Sequence, residues 1–122
     1  MLAEQTKDEA LIKEITEQLL QKGFEDIKAD IEGFESPARL VRQSDDFEFT
    51  PDATATRKGR KYYFELAIKT DATRRLVTKW KLLATLAEMK AGKFQVFVPH
   101  GNMKFTRELL GQYEIEADVQ KI

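Results

Sequence analysis

The sequence predicts an α/β domain in which a mixed β-sheet is flanked by helices. Three observations carry that expectation. Residues 8–22 and 72–91 show helical periodicity; residues 46–57 and 60–69 alternate cleanly across a tight turn; and Phe94-Gln95-Val96-Phe97-Val98 is a nearly continuous apolar run closed by Pro99. Helical and strand periods that succeed one another along a chain are the mark of a sheet covered by helices. The order read from the sequence is α-β-β-β-α-β-α-β, in a single domain spanning residues 1–122.

In the first helix, Leu11, Ile15 and Leu19 recur every four residues with Ile12 and Leu20 beside them, and Gly23 marks the stop. Ile27, Ala29 and Ile31 alternate with charged residues, which predicts a short first strand. Residues 33–45, with Pro37 and the Ser44-Asp45-Asp46 cluster, read as irregular. Along 46–57, Phe47, Phe49, Pro51, Ala53 and Ala55 share one side, with Asp46, Glu48, Thr50, Asp52, Thr54 and Thr56 on the other. Along 60–69, Tyr62, Phe64, Leu66 and Ile68 oppose Lys61, Tyr63, Glu65, Ala67 and Lys69. Arg57-Lys58-Gly59-Arg60 joins the two runs as a hairpin turn.

The second helix carries Leu76, Trp80, Leu83, Ala84 and Ala87 as its apolar stripe and stops at Gly92. It reads as the crossover into the 94–98 strand, whose apolar run predicts cover on both faces. A short helix over 102–110 follows. Tyr113, Ile115, Ala117 and Val119 then alternate with acids as a last edge strand.

Composition narrows the class. Hydrophobic residues make up 42% of the 122, enough for one core, and no apolar run reaches membrane-spanning length. The polar, acidic start MLAEQTKDEA lacks a signal layout, and Cys is absent, which excludes disulfides and thiolate zinc sites. No membrane association and a cytoplasmic location are the expectations. Charge is unevenly spread: Arg57–Lys81 holds nine Lys or Arg against Glu65 and Asp71, a local +7 in a chain of net −1. Such a block suits a phosphate-facing surface, and equally a solvated one. No P-loop, dinucleotide glycine motif, serine-nucleophile elbow or histidine zinc pattern occurs.

A two-residue turn fixes the hairpin register. It pairs Arg57 with Arg60, Thr56 with Lys61, Thr54 with Tyr63 and, by continuation, Asp52 with Glu65. Paired side chains lie about 4.5–5.5 Å apart at Cβ on one face. Two acids so placed repel unless a cation lies between them. A divalent ion that favours oxygen ligands, Mg2+ or Mn2+, resolves the conflict and activates water against a phosphate. The structural alternative is two acids that are solvated or neutralised by neighbouring bases. The same register sets Lys69 opposite Glu48 as a cross-strand ion pair.

The run Phe49-Thr50-Pro51-Asp52, followed after a hairpin by Tyr63-Phe64-Glu65-Leu66-Ala67-Ile68-Lys69, resembles the PD-(D/E)xK nuclease superfamily, whose fold is restriction-endonuclease-like. The likeness covers roughly residues 8–98. It implies that Asp52 and Glu65 hold Mg2+ or Mn2+ for hydrolysis of phosphodiesters, with DNA a likelier partner than RNA, and a homodimer by analogy with enzymes that cut two strands. The family's lysine is replaced by Ala67. Lys69, two residues on along the same face, is the candidate for its role; the following helix offers Lys79 or Arg75 instead. Glu14 on the first helix is the auxiliary acid that the resemblance implies. Arg57, Lys58, Arg60, Arg74, Arg75 and Lys79 are the candidate backbone contacts. The substitution at Ala67 also admits a nuclease-like module without catalysis, binding nucleic acid or protein. Tyr63 on the site face is a candidate substrate contact, His100 reads as an exposed loop residue, and Trp80 reads as core.

Overall fold

The computed structural model describes residues 8–122; residues 1–7, where most of the N-terminal segment read above falls, lie outside the described residues. The chain runs α1 (Glu9–Gln21), β1 (Glu25–Ala29), β2 (Leu40–Arg42), β3 (Phe47–Phe49), β4 (Ala53–Arg57), β5 (Arg60–Leu66), α2 (Thr73–Met89), β6 (Phe94–Val98), α3 (Met103–Gln112) and β7 (Asp118–Lys121). Five strands form a mixed sheet in the order β1-β4-β5-β6-β7, and β2 and β3 form a separate two-stranded ribbon. The pairs β1–β4 and β4–β5 are antiparallel, and β5–β6 and β6–β7 are parallel. Among the described residues no helix is long and apolar enough to cross a membrane.

The hairpin forms in the expected register, Arg57 with Arg60 through Ala53 with Phe64. Its turn residues Lys58 and Gly59 both have positive φ, 54° and 77°, as the tight turn between twisted strands requires. α1 starts on Asp8, whose carboxylate accepts from the Ala10 amide at 2.9 Å, and ends with the Phe24 and Gly23 amides donating to the Leu19 and Leu20 carbonyls. Its Ile12, Ile15 and Leu19 pack with Ala53, Ala55, Phe64, Leu66 and Phe97 on one side of the sheet. Val77, Trp80, Leu83 and Ala87 of α2, with Leu109 and Leu110 of α3, pack with Tyr63, Ala67, Phe94, Val96 and Val98 on the other. β6 is therefore covered on both faces, as its apolar run predicts.

Four expectations need correction. The 46–57 alternation is two strands in two different sheets: Phe49 packs on the α2 side, whereas Ala53, four residues later, packs on the α1 side. Residues 50–52 between them belong to neither strand and turn the chain over. The supposedly irregular 33–45 contains β2, because β3 needs a partner once it leaves the main sheet. The first strand lies at 25–29 and the last at 118–121, each displaced from its alternating run. Finally, α2 is stopped by Ala91, not Gly92. Ala91 takes the left-handed conformation at φ 59°, while the Gly92 amide donates to the Ala87 carbonyl. Glycine is needed at 92 for space: a Cβ there would lie 1.6 Å from the Lys61 carbonyl oxygen.

Candidate functional site

The site is assembled where β4 begins, β5 ends and α2 crosses above them. β5 exposes alternate residues to its two faces, so Tyr63, Glu65 and Ala67 point toward α2. Glu65 is fully buried. A carboxylate there stands only if its oxygens are matched by donors. Oε2 accepts from the Asp52 amide at 3.0 Å and lies 3.0 Å from the Lys79 ammonium; Oε1 accepts from the Trp80 indole N–H at 3.1 Å. Lys79 and Trp80 are consecutive on α2, so a single turn of helix grips both carboxylate oxygens.

Asp52 precedes the first paired residue of β4 and is half-buried. Its Oδ2 accepts from the Leu66 amide at 2.8 Å. The two acids thus anchor reciprocally: the Glu65 side chain takes the backbone N–H of Asp52, and the Asp52 side chain takes the backbone N–H that follows Glu65. The ladder register ends at Ala53 with Phe64, so Asp52 meets Glu65 through these backbone-to-carboxylate bonds and not as the ladder pair that the hairpin register predicts. Among the described residues, no three His, Cys, Asp or Glu side chains gather as a metal-holding group.

Among the described residues, the basic group that pairs with Glu65 is Lys79, with only 18% of its side chain exposed. Ala67, where the resemblance expects a lysine, is fully buried in the apolar layer under α2. Lys69 is exposed beyond the end of β5, and its amide donates to Asn102 Oδ1 at 2.9 Å. Its predicted partner Glu48 lies in the ribbon and pairs with Arg39 at 3.5 Å, because β3 does not continue β4. Arg75 lies one turn before Lys79 but turns to the ribbon, stacking on Phe47 at 4.9 Å and donating to the Glu48 carbonyl at 3.2 Å. Glu14 is exposed on α1, the helix on the opposite face of the sheet from the Glu65 carboxylate.

Of the other predicted contacts, Arg74 is exposed at the start of α2, and Lys58 and Arg60 are exposed at the hairpin tip. That tip is about 16–20 Å along β4 from Asp52, at roughly 3.3 Å per residue. Arg57 turns back onto the fold, 4.3 Å from the Phe24 ring and 5.4 Å from that of Tyr62, and donates to the Lys22 carbonyl at 3.4 Å. Tyr63, a candidate substrate contact, is 6% exposed and belongs to the core, and burial raises the pKa of its phenol. His100 is exposed. An open cleft of about 700 Å3 lies between the C-terminal half of α2 and residues 113–118, away from the acid pair. Its rim mixes Lys81 and Lys93 with Glu88, Glu114, Glu116 and Asp118.

Sequence reasoning missed Trp80 as part of this cluster. Its place in an apolar stripe pointed to packing alone, yet a buried indole N–H needs an acceptor, and Glu65 is the polar group on the facing strand. Comparison with known proteins returns no matching family, no matching curated protein and no matching solved structure.

Proposed function

We propose that this chain is a nuclease-like protein of the restriction-endonuclease-like type that hydrolyses phosphodiesters with a divalent cation, acting on DNA. The observation that supports it is the Lys79 ammonium 3.0 Å from Glu65 Oε2, beside Asp52. A Pro-Asp, a strand Glu and a lysine thereby meet although the strand offers Ala67 where the lysine is expected. Helices on both faces of a mixed sheet agree with this reading.

The donor chemistry suits Mg2+ or Mn2+: Asp52 and Glu65 supply hard carboxylate oxygens, and the Lys79 ammonium 3.0 Å from Glu65 Oε2 places a cation beside one of them. Two protein carboxylates suffice where water and a substrate phosphate complete the coordination. Bound there, the ion would polarise the phosphate and lower the pKa of the attacking water. Asp52 and Glu65 would hold it; Lys79 would offset negative charge developing on the phosphate. Arg74 at the start of α2 would contact the backbone electrostatically.

A second reading, a binding module without catalysis, is favoured by one observation: Glu65 is fully buried with both oxygens already engaged. Mn2+ titration against thermal stability separates the two. Binding to the folded state raises the melting point, and Asp52→Ala abolishes that rise. An enzyme nicks DNA in a metal-dependent way that Glu65→Ala destroys. Salt-sensitive DNA binding without nicking supports the module, and no Mn2+ response in the wild type rules out the metal-dependent reading.

A further inference from the structure

We infer that Trp80 is a positioning residue for the acid pair: its indole N–H fixes the orientation in which Glu65 is presented to Lys79 and to a divalent cation shared with Asp52. The inference rests on the metal-dependent reading above and extends it to a residue that touches neither substrate nor ion.

A glutamate side chain has three rotatable torsions, and one donor on one oxygen leaves the carboxylate free to turn about that contact. Glu65 is held at both ends. The Asp52 amide and Lys79 meet Oε2, and the Trp80 N–H meets Oε1. Of these donors, Lys79 is the adjustable one, since it stands at the end of a flexible chain. Trp80 is rigid: it is fully buried, and its ring packs 6.3 Å from that of Phe94 at 59°. Movement of Lys79 toward a substrate phosphate would leave the carboxylate still pinned by the indole and the Asp52 amide. A phenylalanine or leucine would fill the same layer without that pin. Outer donors that orient metal-bound carboxylates commonly change metal affinity by about tenfold to a hundredfold.

The test exploits the fact that Trp80 is the sole tryptophan. In the full chain it is replaced by the benzothiophene isostere of tryptophan, which keeps both fused rings and deletes only the N–H; Trp80→Phe is the genetic counterpart. Mn2+ affinity is measured by electron paramagnetic resonance, and folding by the melting point in EDTA. Leu83→Ala, in the same buried layer one turn on, is the packing control. The expected result is Mn2+ affinity weakened about tenfold or more by the isostere and by Trp80→Phe. Leu83→Ala should lower the melting point and leave Mn2+ affinity unchanged. Mn2+ affinity in the isostere protein within twofold of wild type overturns the inference and leaves the metal-dependent reading intact. Equal weakening by Leu83→Ala also overturns it, because general loosening then explains the loss. A wild-type protein that binds no Mn2+ overturns the metal-dependent reading and the inference together. A metal-free readout checks the contact itself: the indole N–H resonance should move on Glu65→Gln, and a resonance that stays in place overturns the inference.

Discussion

The Asp52 amide donates to Glu65 Oε2 at 3.0 Å while the Leu66 amide donates to Asp52 Oδ2 at 2.8 Å, so each acid is held by the backbone beside the other. Neither carboxylate can shift without disturbing its neighbour's anchor. Lys79 is the cation that the described residues bring to this cluster.

Lys79→Met removes the ammonium that lies 3.0 Å from the buried Glu65 carboxylate. Removal of one member of a buried pair costs about 3–5 kcal/mol, and the lower end applies because Lys79 is slightly exposed. Adding Glu65→Gln to Lys79→Met removes the buried negative charge as well and should recover more than half of the loss. Urea denaturation of the wild type, the single variant and the double variant measures this; a double variant no more stable than Lys79→Met would contradict it.

Arg57 and Arg74 should behave oppositely. Arg57 lies over the Phe24 and Tyr62 rings, so Arg57→Ala should cost about 1 kcal/mol of stability and leave the salt dependence of the proposed DNA binding unchanged. Arg74 is exposed, and Arg74→Ala should reduce the salt slope by about 1 with little effect on folding. Affinity measured across a salt series, alongside denaturation midpoints, distinguishes them.

Neighbouring substitutions at the end of α2 should have opposite signs. Gly92→Ala drives a methyl group into the Lys61 carbonyl and should destabilise by roughly 3 kcal/mol or more. Ala91→Gly relieves a left-handed alanine at φ 59° and should stabilise by up to about 1 kcal/mol. Thermal denaturation of the two variants reads both effects.

Tyr63 supplies a pH dependence. Burial raises its folded-state pKa above the ordinary 10.0. The neutral phenol is therefore favoured in the folded state. Its contribution is fully present below the unfolded value and is lost as pH rises through the folded one. Denaturation midpoints taken from roughly pH 9 to pH 11.5 should fall more steeply for wild type than for Tyr63→Phe. Parallel curves would show that the phenol does not titrate against folding.

The acid pair was legible in part: the Lys58-Gly59 turn sets a register that the structure keeps as far as Ala53 with Phe64, and Asp52 lies one residue beyond it, where its amide meets the Glu65 carboxylate. The ribbon was not legible. Phe49 and Ala53 have the same parity in sequence, and nothing in their spacing shows that they face different layers. Pro51 was the available clue, since proline is poorly tolerated within a central strand. Lys79 was legible only as one of two helix alternatives to Lys69, because Arg75 and Lys79 lie one turn apart on the helix. What separates them is the aromatic ring of Phe47, which holds Arg75 and which only the ribbon brings within reach. The Lys69–Glu48 pair failed for the same cause: it assumed that the register of β4 extends into β3.

The ribbon rejoins the main sheet only at Ala53, so its turn can lengthen, shorten or change composition without altering any pairing among the five strands. Leu40, Phe47 and Phe49 tie the ribbon to the α2 layer, whereas its turn at residues 43–46 lies outside the ladder that holds Glu65. A descendant could meet a differently shaped partner with the same buried carboxylate, by rebuilding an appendage of fewer than about a dozen residues, well within the lengths at which loops are readily exchanged.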